Sequence, residues 1–148
     1  MSRLMDLFAM HNAVRTERGL PLLVLDSRLN LAAKLHAERM RDETALEHRF
    51  PGEPKLGDRI TAAGLAWSRC AENIAAGYTT VRSVVEAWME SRLHRANMLG
   101  ADFSLVGFNA SRTRKGVLYW ATVFATPAGA KGRKPRTSQP TGLDRRRS

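Results

Sequence analysis

The spacing of apolar residues changes character along this chain, and that change restricts the fold more than any single residue does. In the first two-thirds, apolar positions recur with the period of a helix; near the end they crowd into short runs with the pattern of strands. Leu4, Leu7, Phe8, His11 and Val14 predict a first helix over 4–18, with Gly19 as its stop. After the apolar run 22–25, Asp26 or Ser27 caps a second helix whose inner face reads Leu29, Ala32 or Ala33, His36 and Met40. Prolines and glycines break the segment 47–57, and Asp58 opens a short helical stretch ending at Gly64. The stretch "RCAENIAAGY" (69–78) has no clear period. Val81, Val84, Val85 and Trp88 then form one helical stripe ending near Ser91, and 94–99 has room for one or two more turns. Phe103, Leu105 and Val106 lead one strand, and "VLYWATVFA" (117–125) is the strongest strand in the chain. The loop "SRTRKG" between them predicts an antiparallel hairpin. Helices first, a hairpin last and no strand–helix–strand alternation predict a layered α+β domain, not a doubly wound one.

A length of 148 residues suits one core, placed at 1–126, followed by a tail at 127–148. Pro, Gly, Ser, Thr and Arg dominate the tail, which is therefore expected to be unstructured. Of the formal charge of +10, the tail supplies +6 through Lys131, Arg133, Lys134, Arg136, Arg145, Arg146 and Arg147 against Asp144. The +4 left on the folded part makes no case for specific nucleic-acid recognition. The tail itself reads either as a solubilising end or as a salt-sensitive contact for an anionic surface such as nucleic acid, acidic glycopolymer or lipid headgroups. Cys70 is the only cysteine, so no intramolecular disulfide exists and stability must come from packing. Asp6 interrupts and His11 ends the apolar start, which gives no secretory pattern; the protein is cytosolic or its export sequence lies upstream. No stretch approaches the roughly 20 apolar residues of a membrane-spanning helix.

Three polar residues far apart in sequence are the candidates for chemistry: His48, Glu72 and His94. Two imidazoles and a carboxylate suit Zn²⁺ with a fourth position for water, and the same set suits a general base with an orienting partner. The plainer reading is a hydrogen-bonded group that holds loops together. His36 and His11 lie on apolar helical faces and read as core histidines; Trp67, Trp88 and Trp120 read as packing. Cys70 has no neighbouring histidine and reads as an inert thiol. A serine nucleophile at Ser91, three residues before His94, requires a geometry that spacing alone does not establish.

Four stretches in order, "HNAVRTERGLPLL", "LAAKLHAERM" followed by His48, "RITAAGLAWSRCAENIAAGY", and "VVEAWMESRLHRANML" continuing into "VGF" and "YWATVFA", resemble the bacterial branch of the CAP superfamily (cysteine-rich secretory protein, antigen 5, pathogenesis-related group one; SCP-like domains). The resemblance covers about 7–125. It implies a three-layer α-β-α sandwich with a small antiparallel sheet and a cleft lined by two histidines and two glutamates. His48 matches the first cleft histidine, Glu72 the first glutamate and His94 the second histidine. Ser91 stands where the second glutamate is found in other members; Glu90 is one residue, about 100°, away around the helix, and Glu86 lies off the Trp88 stripe. "SRLH" (91–94) replaces the usual proline and glycine before the histidine. The resemblance further implies export to the extracellular space or cell envelope and a cleft for a divalent cation such as zinc or magnesium, held by His48, Glu72 and His94. It also implies an apolar, lipid- or sterol-like ligand or an envelope component as partner. A binding module is the first expectation, with a metal-dependent or His/Glu-assisted hydrolase as the alternative and an anionic-surface binder acting through the basic tail as the third.

Overall fold

The computed structural model describes residues 2–129, 137–138 and 142–145. Its elements are α1 (Arg3–Glu17), β1 (Val24–Leu25), α2 (Ser27–Glu43), α3 (Leu56–Ala62), β2 (Trp67–Ala76), α4 (Val81–Glu90), α5 (Arg92–Met98), β3 (Leu105–Arg112), β4 (Leu118–Pro127), β5 (Thr137–Ser138) and β6 (Gly142–Arg145). Local chemistry sets the helix starts. Asp26 caps α2 by accepting from Arg28 N and Leu29 N at 2.9 and 3.4 Å. Thr80 and Ser83 form a reciprocal box at the start of α4.

The hairpin β3–β4 forms as its turn residues predict, and β4 pairs antiparallel with β2 on its other side. The antiparallel sheet expected from the sequence is these three strands. Short parallel strands flank them, β1 against β3 and β5 and β6 against β2, so the sheet as a whole is mixed. Alternation along β4 sends Ala121, Val123 and Ala125 to one face and Trp120 and Phe124 to the other. On the first face lie α2 and α3, contributing Leu29, Ala33, Met40 and Ile60; on the second lie α1, α4 and α5, contributing Leu7, Val84, Trp88 and Met98. This is the α-β-α sandwich.

The structure differs from the sequence reading at two elements. The aperiodic stretch 69–78 supplies most of β2, because every residue from Cys70 to Ala76 is buried and a strand covered on both faces shows no polar alternation. The third helix starts at Leu56 instead of Asp58. The tail expected to be unstructured falls mostly outside the described residues; the parts described there are 127–129, where Pro127 ends β4, and the backbones of β5 and β6.

Close approaches lock the layers. A Cβ at Gly107 on β3 would overlap the backbone of Leu29 and Asn30, so only glycine lets the first turn of α2 rest on the sheet. Asn30 Oδ1 fixes the same contact by accepting from Phe108 N at 2.9 Å. On the opposite face Arg15 is fully buried and donates to the carbonyls of Pro21, Met98, Gly100 and Phe103 at 2.8–3.2 Å.

His11 is a core histidine, as its place on the α1 face predicts. It is buried among Trp88, Phe108 and Phe124, with Nδ1 bonded to Leu7 O at 2.8 Å. Burial, against a smaller opposing effect of the Leu7 carbonyl, lowers its pKa from 6.5 to about 4. The unfolded chain therefore binds this proton more readily than the native one, and stability falls as pH drops from 6.5 towards 4, by up to about 3 kcal/mol from this ring. Urea unfolding across that window will show a steeper acid loss for the wild type than for His11→Phe; parallel curves would remove His11 as the cause.

Candidate functional site

Strand alternation decides where Glu72 points. Cys70, Ile74 and Ala76 on β2 join the core beneath α2 and α3, and Glu72 shares their side of the strand. A carboxylate there is fully buried and needs partners. Arg59 of α3 supplies a two-pronged one, with Nη1 on Oε2 at 3.1 Å and Nη2 on Oε1 at 3.2 Å. His48 Nδ1 lies 3.0 Å from Oε1, and Arg59 Nη2 also donates to the His48 carbonyl at 3.3 Å. Burial alone would raise the Glu72 pKa; the Arg59 charge, the His48 bond and the nearby His36 together outweigh it and hold the carboxyl at about 2. Glu72 is therefore a fixed anion at neutral pH.

A second buried pair adjoins the first. His36 Nδ1 meets Glu53 Oε2 at 2.7 Å, and Nε2 meets the Glu47 carbonyl at 2.7 Å. A carbonyl only accepts, so Nε2 carries a proton and donates it to Glu47. Glu53 Oε1 accepts from Phe50 N at 3.0 Å, which folds the proline-broken loop around the carboxylate. Arg59 Nε lies 3.8 Å from Glu53 Oε2, so one guanidinium serves both pairs.

The structure brings His48 and Glu72 together, as the resemblance implies. On α5, His94 Nδ1 lies 2.7 Å from Ser91 Oγ, its ring stacks obliquely against Trp88, and its carbonyl accepts from Asn73 Nδ2 at 3.1 Å. Asn73 follows Glu72, so alternation points it towards α5 while Glu72 points towards α2 and α3. Glu86 and Glu90 are exposed, and neither replaces the missing second glutamate. Among the described residues, no group of three or more His, Cys, Asp or Glu is disposed to hold a metal ion.

The donor set around Glu72 does not suit a divalent cation. Both oxygens already hold the guanidinium fork. An ion bound to the carboxylate at ~4 Å from Arg59 would meet a repulsion of about 8 kcal/mol at an effective dielectric of ~20.

Sequence reading missed Arg59 and Glu53. An arginine beside the apolar Ile60 in a short helix, and an acid between two prolines, were the available signals. The same two residues border a hollow of about 310 Å³ between α2 and α3, lined also by Leu31, Ala32, Leu35 and Ala63. Removing one partner of a buried ion pair strands the other, so Glu72→Gln is expected to cost about 3–5 kcal/mol. Chemical denaturation measures this, and a loss below about 1 kcal/mol would show that the Arg59 charge is accommodated without Glu72.

Comparison with known proteins agrees with this architecture. The CAP family, described as the cysteine-rich secretory protein family, matches residues 8–124. The uncharacterized protein YkwD of Bacillus subtilis is 34% identical over 96 residues, 65% of this chain and 37% of that protein. The uncharacterized membrane protein YlbC of the same organism is 29% identical over 101 residues, 68% of this chain and 29% of that one. The chain thus spans about a third of the length of these relatives. An extracellular protein with an SCP domain from Bacillus anthracis superposes with a TM-score of 0.75 at 26% identity, covering 89% of this chain and 40% of that one. An outer surface protein of Borrelia burgdorferi gives a TM-score of 0.78 at 20% identity, covering 83% of this chain and 91% of that one. With its sandwich, its His48–Glu72 pair and a family match over most of its length, the chain belongs to the CAP family, in its bacterial form.

Proposed function

We propose that this CAP domain works outside the cell as a binding module whose ligand is apolar with an anionic end. The extracellular setting is supported by the Bacillus anthracis relative, itself described as extracellular. One observation carries the ligand class: the hollow between α2 and α3 is walled by aliphatic side chains and edged by Arg39 and Arg59. Leu31 and Leu35 remain 44% and 56% exposed there. Its volume of about 310 Å³ lies at the small end of ligand cavities. Arg59 is engaged by Glu72, while Arg39, paired with Glu43 at 2.9 Å yet 38% exposed, presents the cation at the rim that favours an anionic head; the aliphatic wall favours a hydrocarbon body. Titration with a fluorescent fatty acid is expected to show saturable binding that Leu35→Asp weakens at least tenfold. An exposed site keeps the stability of that variant within about 0.5 kcal/mol of wild type. Equal binding by both proteins would remove the groove as the site.

Hydrolysis is the second reading, and the Ser91–His94 contact of 2.7 Å favours it. Glu72 does not serve as its general base: both oxygens are engaged and its pKa of about 2 leaves little proton affinity. The binding reading expects no labelling by a fluorophosphonate probe. Labelling of the wild type that disappears in Ser91→Ala would instead establish a serine hydrolase.

A further inference from the structure

We propose that Arg59 is the resident cation of the His48–Glu72 cleft: its guanidinium occupies the carboxylate that a divalent ion would need, so the cleft is complete without metal and acquires metal affinity only when Arg59 is removed. The inference is independent of the groove ligand. A carboxylate offers about four acceptor sites, and Glu72 uses three of them on the two arms of Arg59 and on His48. Arg59 is itself buried, at 8% exposure, and its Nη2 is also tied to the His48 carbonyl, so it does not swing away as a surface arginine would. Among the described residues, Arg59 already offsets the Glu72 charge. A divalent ion added beside this buried pair would leave uncompensated positive charge in a medium that penalises it.

Melting temperature read with zinc, magnesium or EDTA tests the proposal. The wild type is expected to melt at the same temperature in all three. Arg59→Met keeps the apolar stem and frees the carboxylate; its melting temperature is expected to rise by about 5–10 °C at a hundredfold excess of zinc over Kd. Adding Glu72→Gln in that background should abolish the rise. Arg59→Lys, which keeps a charge in place, should remain indifferent to zinc if Arg59→Met fails to fold. Two results would overturn the proposal: a cation-dependent rise in the wild type that Glu72→Gln removes, or a folded Arg59→Met that ignores zinc and magnesium alike.

Discussion

The Arg59–Glu72 ion pair is the constraint around which one half of this domain is arranged. A charge on β2, a strand buried on both faces, is tolerable only when a partner reaches it in the dry interior. That partner must come from an element lying on the α2–α3 side, and α3 is too short to be held by its apolar face alone. Its seven residues bury only Gly57, Arg59 and Ile60. The fork on Glu72 therefore positions α3 as much as α3 positions the fork. The irregular loop before it inherits the same logic, since Glu53 turns back to Phe50 N and Arg49 donates to the Glu53 carbonyl.

The two faces of the sheet solve the burial problem differently. Beneath α1, α4 and α5 the core is dense with aromatic rings, where Trp88, Trp120, Phe103, Phe108 and Phe124 are fully buried. Its polar intrusions include His11, kept neutral at ordinary pH, Arg15, which finds carbonyls, and the bonded set Asn73, His94 and Asn97. Beneath α2 and α3 smaller side chains such as Ala32, Ala33, Ala37, Ala121 and Ala125 fill the interior. This lets α2 approach β3 closely at Gly107 and leaves space at its outer edge. The open hollow and the charged cluster both lie on this less bulky side, and Arg59 belongs to both. A ligand seated in the hollow would therefore press on the side chain that holds His48 and Glu72 in place.

Much of the layering was legible in the sequence because it depends on local period. The α2 stripe from Leu29 to Met40, the α4 stripe through Val84, Val85 and Trp88, and the β3–β4 hairpin all announce themselves by spacing. β2 was not legible, since a central strand has no wet face to imprint a period of two. The site divides in the same way. His48 and Glu72 carry the family resemblance and do meet. The part played by Arg59 depends on the packing of α3 against β2, a contact between 59 and 72 that no local pattern encodes. The local partner of His94 was likewise hidden: with Ser91 at the glutamate position, its imidazole bonds the serine three residues back.

A lone buried Cys70 in a family described by its cysteines raises the question of what holds the layers together. Small extracellular domains usually answer with disulfides, which join segments distant in sequence. Here buried arginines make the long-range ties. Arg15 reaches carbonyls 83, 85 and 88 residues away, binding α1 to the end of α5 and the approach to β3. Arg59 binds α3 to β2 and to the loop that carries His48. Unlike a disulfide, such a tie depends on the exclusion of water around several hydrogen bonds at once. Its strength is cooperative with the packing about it: loosening either helix layer weakens the arginine, and loosening the arginine releases the layer. The same kind of side chain that replaces covalent staples on one face thus fixes the shape of the cleft on the other.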